Sequence, residues 1–116
     1  MDENKKKQLL LKYKYRKTEM GIISFRCIPT GDSFLDISKD TKANINSSSF
    51  KLKGNMHPNS MLQKLWNDYG SDNFQICVLE VLPYDEKDKD KDDYTDELEA
   101  LCERKLISLP NARRIK

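Results

Sequence analysis

His57 is the only histidine in the chain, and it stands directly before Pro58. An imidazole that titrates near neutrality can take a proton from a nucleophile or contact a phosphate. A histidine ahead of a helix-opening proline also serves simply as a flank of that helix, and the absence of a specified carboxylate or serine partner beside His57 favours that plainer role. Five lysines, Lys39, Lys42, Lys51, Lys53 and Lys64, follow the first third of the chain. Ammonium groups in such a series bind phosphates without reading sequence, and the same series suits a solvated helix face. Glu99 and Glu103 offer hard oxygen donors of the kind a divalent cation takes, or plain surface charge. Trp66 and Tyr69 have rings that stack on bases, but their helical spacing from Leu62 and Leu65 assigns them to a core. Cys102 falls in the stripe Leu98, Leu101, Leu106 and reads as a small core hydrophobe.

The chain that must position these groups has 116 residues, enough for one domain with one core. It is 34% charged and 37% hydrophobic, so the core is small and the surface densely charged. The formal net charge of +2 hides an asymmetry. Residues 1–64 hold 13 Lys/Arg against 6 Asp/Glu, and residues 65–116 hold 8 against 13. The basic N-terminal half fits an anionic partner such as DNA or RNA; a dipolar domain without such a partner has the same balance. The three cysteines (Cys27, Cys77, Cys102) form no CxxC pair and are odd in number, which leaves a zinc or disulfide framework unsupported and makes reduced thiols and a cytoplasmic location the expectation. Lys5-Lys6-Lys7 is followed only by Leu9-Leu10-Leu11 before Lys12, too short a run for a signal segment or a membrane span, so no membrane partner is expected.

Along the chain, residues 3–17 read as a charged helix, although the Lys-Tyr-Lys-Tyr run at 12–15 also alternates like a strand. Met20–Ile28 reads as a strand with Ile23, Phe25 and Cys27 on one face and Ile22, Ser24 and Arg26 on the other. Pro29-Thr30-Gly31-Asp32 is a turn, and Phe34–Ile37 returns to make a hairpin. Ser38 is placed to cap a short helix over 39–46, which Ser47-Ser48-Ser49 weakens. Pro58 opens a stronger helix carrying Met61, Leu62, Leu65, Trp66 and Tyr69, with Gly70 at its end. Phe74–Leu82 offers hydrophobes to both faces, the pattern of a central strand covered on both sides. Asp85–Asp93 is a solvated loop of acids and lysines. A last helix over about 94–109 ends at Pro110, and a basic tail follows with Arg113, Arg114 and Lys116. The expected fold is α+β, a small three-stranded antiparallel sheet flanked by helices, with the charged helix in 1–19, the domain in 20–110 and the tail in 111–116.

One frame within this order is distinctive: Gly21-Ile22-Ile23, ten residues of strand and turn, then Phe34-Leu35-Asp36-Ile37-Ser38 and Lys39 to Asn46. It resembles the opening of a GIY-YIG nuclease domain. The likeness continues through Phe50-Lys51-Leu52-Lys53-Gly54, His57-Pro58-Asn59, Leu62-Gln63, Trp66, Tyr69-Gly70 and Phe74 to Leu79-Glu80, a pattern similar to one bacterial subgroup of these domains. It covers about residues 20–110. The resemblance implies phosphodiester hydrolysis with one divalent metal, served by two tyrosines, an arginine on the first helix and a metal-binding glutamate on the last. In this chain those positions hold other residues. The two tyrosines fall on Ile23 and Phe34, the glycine of the second triplet on Asp36, a frequent basic residue on Ile37, the arginine on Asn44, a common histidine or tyrosine on Ser48, and the glutamate on Cys102. Lone cysteine sulfur is a poor ligand for Mg²⁺, which leaves Glu99 as the substitute ligand to consider.

The resemblance therefore implies the scaffold without the chemistry: a degenerate GIY-YIG-like domain that binds nucleic acid, or acts as an accessory module, without cutting it. Lys39, Lys42, Lys51, Lys53, Lys64 and His57 are the expected nucleic-acid contacts around the former cleft. No cofactor is expected, Mg²⁺ entering only with residual nuclease activity. Two rivals remain: a domain that binds a protein partner, with the acidic 85–99 region as a contact, and a metal-dependent DNA endonuclease rebuilt around Glu99, His57 and the lysines.

Overall fold

The computed structural model describes residues 18–85, 87, 91 and 93–115. The expected helix over 3–17 lies outside the described residues. Four strands form one sheet in the order β3-β1-β2-β4. They are β1 (Met20–Cys27), β2 (Ser33–Ser38), β3 (Phe74–Leu82) and β4 (Ala112–Arg114). The three longer helices are α1 (Thr41–Lys53), α2 (Ser60–Tyr69) and α3 (Thr95–Ser108). The α+β architecture is as the sequence implies, with one strand more than expected.

The hairpin follows from alternation. β1 and β2 pair antiparallel, with Ile23 opposite Asp36 and Phe25 opposite Phe34. Odd-numbered Ile23, Phe25 and Cys27 join Phe34, Leu52, Leu62, Trp66 and Phe74 in one buried cluster, beneath α1 and α2. Ile22 and Leu35 point the other way and join Leu101 and Cys102 of α3 in a second. A third, at the start of β1, holds Met20, Tyr94 and Leu98. The sheet is thus covered by two helices on one face and one on the other.

Four expectations are corrected. α1 runs on through Ser47-Ser48-Ser49 to Lys53 instead of stopping at 46, because Thr41, Ile45 and Leu52 recur on its inner face and Leu52 is buried against the sheet; packing outweighs the weak propensity of serine. Its N-cap is Asp40, whose carboxylate accepts from the Ala43 N–H at 3.2 Å; Ser38 instead belongs to the end of β2. β3 has the expected bounds but sits at the sheet edge, paired only with β1 among the described strands, and Val81 is left exposed. The central strands are β1 and β2, since the segment after α3 is itself a strand: β4 pairs in parallel with β2, Ser33 opposite Ala112 and Leu35 opposite Arg114.

The helix from 60 is capped by Asn59, whose side-chain oxygen accepts the Leu62 N–H at 2.9 Å, and it ends at Gly70 in the left-handed region (φ +81°) that an L side chain rarely adopts. Trp66 and Phe74 meet with ring centroids 5.2 Å apart, so Trp66 is core, as its spacing implies.

Candidate functional site

The two triplet positions lie where strand alternation sends them, into the core. Ile23 is 2% exposed and Phe34 fully buried, both in the cluster under α1 and α2. Cys102 is buried in the cluster on the opposite face. The sheet therefore separates Ile23 and Phe34 from Cys102. On α1, Asn44 is exposed and accepts a hydrogen bond from the buried Ser38 hydroxyl, while Ser48 is half-buried on the inner face.

What converges instead is an ionic cluster at the β2–β4 edge. α3 brings Glu99 outward and β4 brings Arg114 to meet it. The guanidinium donates two parallel hydrogen bonds, Nη1 to Oε2 at 2.7 Å and Nη2 to Oε1 at 2.9 Å, so each carboxylate oxygen of Glu99 is taken. Arg114 Nε also reaches Asp36 Oδ1 at 3.4 Å, and that oxygen accepts the Ile37 N–H at 2.9 Å. The hydrogen bonds to Glu99 hold the Arg114 pKa above its ordinary value, against the opposing effect of burial. Burial pushes the Asp36 carboxyl up; the Ile37 N–H and the Arg114 charge only partly offset it. Cys102 feels the same cluster and its thiol is raised, first by burial. Beside the cluster, Glu99, Glu103, Leu106, Arg114 and Ile115 line an open cleft of about 430 Å³.

The divalent metal implied by the resemblance does not fit these residues. Cys102 presents buried sulfur, a soft donor, at the glutamate position. Glu99 is paired through both oxygens with the Arg114 guanidinium, whose positive charge opposes a cation there. Among the described residues no group of three His, Cys, Asp or Glu side chains is arranged to hold a metal ion.

His57 is half-buried next to this region. Its backbone N–H donates to Gln63 Oε1 at 2.9 Å, and its Nδ1 accepts the Asn59 N–H at 3.0 Å. With Nδ1 used as an acceptor, the neutral ring carries its proton on Nε2. Burial first, then the charge of Lys51, lowers its pKa, and the charge of Asp36 opposes them. The expected lysine contacts are spread over several elements. Lys39 lies before α1, its carbonyl accepting from the Thr18 hydroxyl at 2.6 Å; Lys42 and Lys53 are exposed on α1, about 16 Å apart along the axis at 1.5 Å per residue; Lys64 is exposed on α2.

Two residues matter here that sequence reasoning missed. Arg114 reads from the sequence as part of a basic tail, and only the long-range pairing of β4 with β2 carries it to Glu99. Phe50 reads as one residue of a family-like stretch, yet it is 70% exposed. An earlier end to α1 hid its position on a helix face.

The fold has solved counterparts. The catalytic domain of the homing endonuclease I-TevI superposes with a TM-score of 0.61 at 22% identity, over 84% of this chain and 98% of that one. A glutamate-to-alanine mutant of the catalytic domain of intron endonuclease I-TevI gives 0.55 at 19% identity, over 78% and 79%. No protein-family model and no curated protein matches the chain. The chain has the GIY-YIG nuclease-like fold, and no helix among its described residues is long and apolar enough to cross a membrane.

Proposed function

We propose that this chain is a catalytically degenerate GIY-YIG-like domain that binds DNA or RNA through the sugar–phosphate backbone and does not hydrolyse it. The observation that carries the loss of chemistry is the double hydrogen bond from Arg114 to Glu99. Glu99 is the one residue that could replace the family's metal ligand, and it is committed to a cation supplied by the chain itself. A base near a water, a cation for the oxyanions and a metal ligand act as one unit, so losing all three removes nearly all rate enhancement.

Backbone binding is supported by α1. Its 13 residues, Thr41–Lys53, include Lys42, Lys51 and Lys53 and no Asp or Glu. The rest of its exposed surface includes Asn44, Asn46 and Ser47, which donate to phosphate oxygens as readily as they accept from water. The nuclease names of the structural counterparts support a nucleic-acid partner in the same sense.

The test is fluorescence anisotropy of labelled single- and double-stranded DNA at two salt concentrations with Mg²⁺, the DNA then being run on a gel. Binding that weakens steeply with salt and leaves the DNA intact supports the proposal. Mg²⁺-dependent cleavage that Glu99→Ala abolishes would restore the rebuilt nuclease. No binding at low salt would turn the reading to a protein partner.

A further inference from the structure

Phe50 is the most exposed aromatic side chain among the described residues, at 70%. It is not exposed because its helix end frays. Its carbonyl accepts the Gly54 N–H at 3.1 Å, inside a regular turn. The helix turns about 100° per residue, so Phe50 lies roughly 160–200° from Ser48 and Leu52, which face the sheet. The ring is therefore aimed straight away from the core. By the same geometry Lys51 lies about 100° to one side of it, and Lys42 and Lys53 about 60–80° to the other. Asn46 and Ser47, one turn earlier, lie on its own face.

A large ring on the outer face of a helix offers apolar area for a partner to cover. Lys51 and Lys53 beside it, Lys42 about 12 Å back along the axis and no carboxylate on the helix specify the charge of that cover: anionic, with flat faces to offer. Apolar protein surfaces supply the flat faces without the negative charge, and duplex nucleic acid supplies the charge with its bases already stacked. Single-stranded nucleic acid supplies both.

We infer that Phe50 is a base-stacking platform and that α1 takes single-stranded DNA or RNA, one unpaired base lying on the Phe50 ring while Lys42, Lys51 and Lys53 contact the flanking phosphates. This inference rests on the nucleic-acid reading above and narrows it. Stacking of a base on an aromatic side chain tolerates any sequence, because every base has a π face, and the lysines contribute affinity that salt weakens. Of the two rings that the sequence offers for this task, Trp66 is in the core as expected; Tyr69, expected there too, is instead exposed, at 39%, but less open than Phe50.

The experiment compares wild type, Phe50→Ala and the triple variant Lys42→Gln/Lys51→Gln/Lys53→Gln. Each is titrated into labelled oligothymidylate and into a duplex of equal length at low salt, with circular dichroism to confirm folding. Phe50→Ala should weaken single-strand binding about 5- to 100-fold and leave duplex binding and the salt slope unchanged. The triple variant should weaken both and flatten the slope. Loss in the triple variant with no loss in Phe50→Ala, or equal loss on both substrates in Phe50→Ala, overturns the stacking role and leaves backbone binding standing. No wild-type binding to either substrate overturns both. Light scattering is run in parallel. A wild-type dimer that Phe50→Ala makes monomeric assigns the ring to a second copy of this chain and overturns the inference.

Discussion

Gly21 of β1 lies so close to Glu80 of β3 that a Cβ on Gly21 would sit 2.1 Å from the Glu80 carbonyl oxygen, and 3.0 Å from the Val81 Cα. Both neighbours are backbone, so neither can swing aside. The first triplet thus keeps its glycine for a reason independent of catalysis: two antiparallel strands approach there too closely for a side chain, beside the register shift between Ile22 and Ile23.

Gly21→Ala should accordingly destabilise the domain by about 1–3 kcal/mol through forced strand separation. Urea denaturation measures it. An unchanged midpoint would show that the β1–β3 pair yields without cost.

Phe34→Tyr adds a hydroxyl at the position where the family resemblance implies a tyrosine. In this chain that position is fully buried in the cluster that holds Ile23, Leu52 and Leu62, with the Arg113 guanidinium over the ring 5.7 Å from its centroid. The expected cost is about 1–3 kcal/mol, the desolvation of an unmet polar group. Stability equal to wild type, with a tyrosine that titrates normally by absorbance, would show that the ring reaches solvent.

The Arg114–Glu99 pair predicts a coupling. Both side chains are partly exposed, at 21% and 42%, so the interaction is modest despite its two hydrogen bonds. A double-mutant cycle of Arg114→Ala and Glu99→Ala should give about 0.5–1 kcal/mol. A coupling of zero would remove the contact from any account of why Glu99 is committed.

Asp36 and His57 give stability pH dependences of opposite sign. The Asp36 carboxyl is raised above its ordinary 3.8, first by burial, so the folded state holds that proton more tightly than the unfolded chain. Its contribution is present below pH 3.8 and is lost as pH rises through the raised value. Asp36→Asn should remove that loss, so its melting temperature gains on wild type as pH rises above 3.8. His57 is lowered from 6.5, again first by burial, and its contribution is present above 6.5 and lost as pH falls through the lowered value. His57→Gln should flatten that acid-side fall. Parallel melting curves for wild type and both variants across this range would contradict both assignments.

The sequence carried the elements whose signals are local. Alternation in 20–37 is enough for the hairpin, and Leu62, Leu65 and Trp66 followed by Gly70 are enough for α2. The misses lie where tertiary contacts decide. Ser47-Ser48-Ser49 discourages a helix in isolation, and only burial of Leu52 carries α1 past it. Phe74–Leu82 is apolar enough for an interior strand, but periodicity says nothing about neighbours, and the fold gives β3 one. Ala112–Arg114 is too short to show any period. The replacements that the family resemblance implies are legible residue by residue in the sequence, whereas the Arg114–Glu99–Asp36 cluster is not, because its members come from three elements.

Arg114 meets Asp36 across 78 residues of chain, through a strand only three residues long. Three residues of parallel pairing make a small cooperative unit, so β4 is expected to open at lower free energy than the whole domain. Native-state hydrogen exchange would show this as early exchange at Ile115, whose N–H bonds the Leu35 carbonyl at 2.8 Å, while the β1–β2 amides stay protected. Exchange of Ile115 together with the β1–β2 amides would instead place β4, and the Arg114 that pairs with Glu99, in the same cooperative unit as the hairpin.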